Sequence, residues 1–115
     1  MSRYKIAAIL SLLIIAGCTP HPGAGVWTPA TENTANISRV DIYFDPKVEI
    51  FTGSALAPAM QCGWWALDKT TLEMECVHLA DVDKKETFQL KVIAEDKAEL
   101  KIQDGISVSL IRQRD

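Results

Sequence analysis

From Val40 onward, apolar and polar residues alternate along most of the chain with a period of two. Successive side chains of a β-strand point to opposite faces, so this period predicts strands that bury one face. The buried positions of the predicted strands all carry even numbers, and they fall in seven runs: 40–44, 48–50, 60–66, 72–76, 88–92, 100–102 and 106–110. The pattern alone therefore predicts an all-β domain.

Short polar stretches separate these runs and predict the turns. Four of them have three residues each, at 45–47, 68–70, 95–97 and 103–105. An odd number of loop residues preserves the parity of the inward positions across a hairpin. With an extra first strand at Gly25-Val26-Trp27, the runs predict a small antiparallel meander of seven or eight short strands that forms a β-barrel or a β-sandwich. The stretch 80–85 is expected to be a charged turn or a short helical turn.

Two cysteines, Cys62 and Cys76, lie in neighbouring runs on either side of the turn at 68–70. If Leu67 faces Thr71 across that turn, Cys62 lies directly opposite Cys76, within the Cα separation that a disulfide requires. A loop of two or four residues would instead place the two thiols on opposite faces. A disulfide is the expected state in an oxidising compartment, and two buried free thiols are the alternative.

The N-terminal residues carry a different pattern. Arg3 and Lys5 precede an apolar run at 6–16, which leads into Gly17 and Cys18. This run is too short to cross a bilayer as a helix, and it has the charge pattern of a signal peptide. The segment Ile15-Ala16-Gly17-Cys18 resembles the lipobox of bacterial lipoproteins. The resemblance implies cleavage before Cys18 and acylation of its thiol and its new amino group.

The lipobox resemblance also implies a division of the chain and a location. The signal peptide would span 1–17, the lipidated tether 18–24 and the β domain 25–115. A cysteine that carries several acyl chains anchors stably, so the implied partner at this end is the membrane itself. Inner-membrane lipoproteins of this pattern usually carry aspartate after the cysteine. Thr19 therefore implies the periplasmic face of the cell outer membrane.

Two further resemblances concern the β domain. Gly25-Val26-Trp27, ahead of the first long strand, resembles the start of lipocalins and implies a carrier of a small hydrophobic ligand. In size and strand pattern the chain also resembles small periplasmic β-barrel lipoproteins, including the membrane-bound inhibitors of C-type lysozyme. That likeness implies inhibition of a periplasmic enzyme, although 51–54 lacks the tyrosine of that family's Ser-Gly-x-x-Tyr loop. Trp27 is itself expected to fill one end of the barrel.

Charge and residue content limit the possible functions. The formal net charge is −3, and loss of Arg3 and Lys5 with the signal peptide leaves ten basic against fifteen acidic residues, a net charge of −5. An acidic domain without a basic tract is not expected to bind nucleic acid. With only His21 and His78 present, no spacing predicts a metal site, and no motif predicts a catalytic nucleophile or a cofactor loop. The sequence therefore predicts a protein that is not an enzyme.

In the hairpin that holds the cysteines, several of the odd-numbered positions, which are predicted to face outward, carry apolar side chains. Trp65, Leu67, Val77 and Leu79 are expected to face outward, where neighbouring apolar residues mark contact with a partner or a membrane. A second sheet or the N-terminal segment could instead cover them. These four residues are the partner-binding candidates of a non-catalytic, membrane-anchored accessory protein that docks on an envelope protein. A carrier of a small hydrophobic ligand and a periplasmic enzyme inhibitor are the alternatives.

Overall fold

The computed structural model describes residues 20–103 and 105–114, and its strands follow the predicted order. There are eight of them: β1 (Gly25–Pro29), β2 (Ile37–Ile42), β3 (Lys47–Thr52), β4 (Met60–Ala66), β5 (Thr71–His78), β6 (Asp81–Ala94), β7 (Lys97–Gln103) and β8 (Ile106–Arg112). Each strand pairs antiparallel with the next, and β1 also pairs with β8, so the sheet closes on itself. The predicted all-β meander is confirmed. Because the sheet is closed, the domain is a β-barrel and not a β-sandwich.

The predicted signal peptide and the predicted lipidation site at Cys18 lie outside the described residues. Within 20–103 and 105–114, no helix has the length and apolar character needed to cross a bilayer.

The side chains predicted by the alternation fill the barrel interior. Val40, Ile50, Leu72 and Leu100 have no exposed surface, and they belong to one continuous core cluster. Eight strands enclose a space just wide enough for side chains, or for one small ligand. Two odd-numbered residues join this core. Trp27 is fully buried on β1, and Ile37 precedes a bulge in β2 that shifts the register by one residue.

The turns keep the predicted parity, although only one lies where the sequence predicts it. At 68–70, the Leu67 amide donates to the Thr71 carbonyl, as expected. The first hairpin turns one residue early, at 44–46. The last two hairpins leave two loop residues rather than three, since Ala94 pairs with Lys97 and Gln103 with Ile106. A bulge beside each of these shorter turns restores the parity.

Three residues predicted to face inward are instead exposed at strand ends. Phe44 lies in the early turn of the first hairpin and is 70% exposed. Ala66 is also exposed at the end of β4, and Ile106 is 39% exposed at the start of β8. The alternation continues in the sequence past the point where the barrel wall ends, so its last positions have no core to face.

The expectation of a charged turn over 80–85 is wrong. A tight turn at 79–80 is followed by β6, which begins at Asp81 and continues to Ala94. The pairing of β5 with β6 shifts between Val77, opposite Lys85, and His78, opposite Asp81. The charged side chains are tolerated in a strand because this part of β6 is exposed and lies at the end of the barrel.

The turns of an antiparallel barrel alternate between its two ends. We call the end that carries 20–24 the proximal end, and it also holds the turns at 43–46, 67–70 and 95–96. The distal end holds the connections at 30–36, 53–59 and 79–80. These two ends carry the features that bear on function.

Candidate functional site

The predicted disulfide between Cys62 and Cys76 is present. The two cysteines are directly opposed in the β4–β5 pairing, with a Cα separation of 4.0 Å. Cys76 is fully buried and Cys62 nearly so, and both belong to the core cluster. The bond therefore crosslinks the inner face of one hairpin, where solution reagents have little access to it.

The described part of the predicted tether packs against the proximal end of the barrel. His21 Nε2 lies 2.9 Å from the backbone oxygen of Asp68, and the His21 ring lies 5.9 Å from that of Trp64. The buried indole Nε1 of Trp27 donates to the Gly23 carbonyl at 2.9 Å. These contacts join residues 20–24 to β1 and to the β4–β5 turn.

Arg112, near the end of β8, holds the same segment from the other side. Its guanidinium donates to the Ala24 carbonyl at 2.7 Å and to the Glu95 carbonyl at 2.8 Å, and a further bond reaches the Pro22 carbonyl. The guanidinium carbon also lies 4.3 Å from the centre of a Trp27 ring, in a cation–π arrangement. One side chain thus connects β8, the β6–β7 turn and the N-terminal segment.

Gly23 packs directly over the core at the proximal end of the barrel. A Cβ at this position would lie 2.5 Å from Leu72 Cδ2 and 3.3 Å from Leu90 Cδ2. Leu72 and Leu90 are fully buried, so neither can move aside easily. The absence of a side chain at Gly23 is what lets the segment pack this closely over the core.

A pocket of about 480 Å³ lies at the proximal end, between the N-terminal segment and β1–β2. Pro20, Pro22, Val26, Tyr43 and Phe44 form most of its apolar lining. Asp41 borders it, and the side chain of Asp41 is only 11% exposed. Arg39 Nε lies 3.0 Å from Asp41 Oδ1, an ion pair whose geometry falls short of a hydrogen bond. The charge of this carboxylate is therefore balanced, and the pocket is mainly an apolar surface.

The four predicted partner-binding residues do not form one patch. Trp65 and Leu67 lie near the proximal end and are 43% and 48% exposed. Val77 and Leu79 lie near the distal end, where Val77 is half-buried and Leu79 is 44% exposed. Glu73 is the residue opposite Trp65, and Val77 is opposite Gln61. Four residues of strand, about 13 Å, separate the two pairs.

The distal end carries a second pocket, of about 430 Å³. Its apolar lining includes Ile37, Met60 and Phe88. His78 and Glu86 stand at its rim, with Nε2 and Oε2 2.5 Å apart. Beside it, the 53–59 loop exposes 97% of Leu56. The distal end thus combines an apolar depression, one polar pair and a projecting apolar side chain.

Two polar groups among the described residues, Tyr43 and Asp68, have shifted pKa values. Within 20–103 and 105–114, no group of three His, Cys, Asp or Glu side chains could hold a metal ion. The Tyr43 hydroxyl donates to Glu49 at 2.8 Å, and this bond raises the pKa of Tyr43. The amides of Thr70 and Thr71 donate to the Asp68 carboxylate and hold its pKa below the usual value. Both shifts arise from local bonds that fix turns and strand edges.

Searches of family models, curated proteins and solved structures find no match to this chain.

Proposed function

We propose that this chain is a non-catalytic, lipid-anchored binding protein of the bacterial cell envelope. Cys18 would hold it on the periplasmic face of the outer membrane, and the β domain would dock on another envelope protein. The lipobox-like segment supports the anchor. The Cys62–Cys76 disulfide is typical of an oxidising compartment such as the periplasm.

The single observation that carries the proposal is the packing of 20–24 against the proximal end. Only Thr19 stands between Cys18 and Pro20, a span of at most about 7 Å when fully extended. A lipid on Cys18 would therefore sit close beneath the proximal end. The distal end would face away from the membrane, towards partners in the periplasm.

The apolar side chains of the distal end support a role in docking. Leu56 is almost fully exposed, Val82 is 63% exposed and Leu79 is 44% exposed. Clusters of exposed apolar residues mark contact sites on soluble surfaces. In this account the distal pair Val77 and Leu79 contributes to partner binding, whereas Trp65 and Leu67 lie at the membrane end.

The distal pocket favours a second candidate, a carrier of a small hydrophobic ligand. Ile37, Met60 and Phe88 give the pocket an apolar wall, and the His78–Glu86 pair offers a polar contact at its rim. A ligand site of this kind combines apolar walls with a few polar groups. The filled interior limits such a ligand to the mouth of the barrel.

A pull-down from detergent-solubilised membranes tests the docking proposal. The acylated wild type, Leu56→Asp and the double variant Trp65→Ala, Leu67→Ala serve as baits. We expect one envelope protein to co-purify with the wild type and the double variant but not with Leu56→Asp, because a charge at the distal loop opposes apolar contact. The double variant is the matched control, since it removes exposed apolar side chains from the other end.

Two results would contradict distal docking. If Leu56→Asp still captures the same protein, the partner does not bind through this loop. If no protein is captured, and native mass spectrometry instead finds a small molecule that is lost from Ala59→Trp, which fills the distal pocket, the carrier candidate replaces the binding protein.

A further inference from the structure

The proximal end exposes apolar side chains around the point where the chain enters the barrel. Phe44 is 70% exposed in the β2–β3 turn, and Tyr43 and Val26 are each 39% exposed beside it. They line the proximal pocket together with Pro20 and Pro22. On the neighbouring hairpin, Trp65 and Leu67 extend the apolar surface along the same end.

The position of Pro20 indicates what covers this surface. Pro20 is the first described residue and lines the pocket, so Cys18 is only two residues away from this surface in sequence. Beginning at Cys18, the mature chain would have two residues ahead of Pro20, and His21 is already bonded to the β4–β5 turn. A linker this short cannot hold the domain far from its own lipid.

The charges at this end do not favour an electrostatic contact. Each turn, taken with the first residue of the strand that follows it, carries both signs: Asp45 with Lys47, Asp68 with Lys69, and Glu95 and Asp96 with Lys97. Attraction to anionic lipid needs a basic cluster, which these turns lack. An apolar side chain that enters the interface needs no such cluster.

We propose that the proximal end rests directly on the lipid bilayer, with Phe44 inserted into the interface and Trp65 close to it. This inference rests on the proposed anchor at Cys18 and adds an orientation to it. The distal end of the barrel then points away from the membrane. Residues 20–24 hold the barrel rigidly in this orientation and do not act as a flexible tether.

Native tryptophan fluorescence can test this contact. The acylated full-length mature protein is reconstituted into vesicles of phosphatidylcholine with or without brominated acyl chains, and vesicle flotation measures the anchored fraction. Of the three tryptophans, Trp27 is fully buried and Trp64 is half-buried at the proximal end, whereas Trp65 is 43% exposed. We expect bromolipid to quench the emission, and Trp65→Phe to reduce this quenching to the smaller part that Trp64 contributes. Adding anionic lipid should leave the quenching unchanged.

A pair of loop variants identifies the side chain that inserts into the membrane interface. Phe44→Ser removes the exposed aromatic side chain at the proximal end, and Leu56→Ser removes an exposed apolar side chain at the distal end. We expect Phe44→Ser to lose quenching while still floating, and Leu56→Ser to behave like the wild type. Far-UV circular dichroism confirms that both variants remain folded.

The possible failures are distinguishable. A protein that floats with the vesicles but shows no quenching overturns the orientation and leaves the anchor standing. Quenching that Phe44→Ser retains in full overturns the insertion of Phe44 and leaves the anchor standing. A protein that stays out of the vesicle fraction overturns both the anchor and this inference.

Discussion

At the residue scale, a few side chains close the proximal end. Trp27 fills the core beneath it, Arg112 bonds the N-terminal segment to β8, and Gly23 allows close packing over Leu72 and Leu90. The sequence predicts burial of Trp27 because large aromatic residues are core anchors. It gives no local signal for the bonds of Arg112 to Pro22 and Ala24, which are about ninety residues away in sequence. Contacts of that separation appear only once the barrel is closed.

Gly23→Ala should destabilise the protein. The added Cβ would meet Leu72 at 2.5 Å, and overpacking of this kind costs about 1–3 kcal/mol. Urea unfolding followed by tryptophan fluorescence measures the change. The control is Gly63→Ala, where the nearest atom would be the Pro46 carbonyl oxygen at an ordinary 3.7 Å. Equal stability of the two variants would show that 20–24 is not held against the core.

At the element scale, the β4–β5 hairpin shows how far local pattern determines register. The alternation and the three-residue turn at 68–70 are enough to predict that Cys62 faces Cys76, and the structure confirms it. The same reasoning fails at Phe44 and at 80–85. Parity does not reveal where a strand ends, and charged residues do not prevent a strand from forming at an exposed barrel rim.

Removing the disulfide should weaken this hairpin and with it the whole barrel. The Cys62→Ala, Cys76→Ala variant is expected to lose about 3 kcal/mol of unfolding free energy, the amount for a closed loop of about 15 residues. Denaturant unfolding measures the loss. Reduced wild type is the matched control, because it lacks the crosslink but keeps both sulfur atoms in the core. A variant as stable as the oxidised wild type would contradict a structural role for the bond.

At the scale of the whole molecule, the two ends of the barrel have different proposed roles. Closure of the meander was one of two outcomes that the sequence allowed, since alternation also fits a sandwich. Closure creates a proximal end that holds the incoming chain and a distal end that carries Leu56 and the His78–Glu86 pocket. The predicted patch of Trp65, Leu67, Val77 and Leu79 separates because its members belong to different ends. Only the closed barrel shows which apolar residues lie at the end near the expected anchor and which lie at the opposite end.

The proposed lipid anchor at Cys18 is tested by the intact mass of the protein extracted from membranes of the organism that produces it. We predict a polypeptide that begins at Cys18, carries acyl chains on its first residue and contains the Cys62–Cys76 disulfide. The Cys18→Ser variant should lack the acyl chains. An unacylated chain, or one that still begins at Met1, would contradict the anchor and with it the assignment of a membrane end and a partner end.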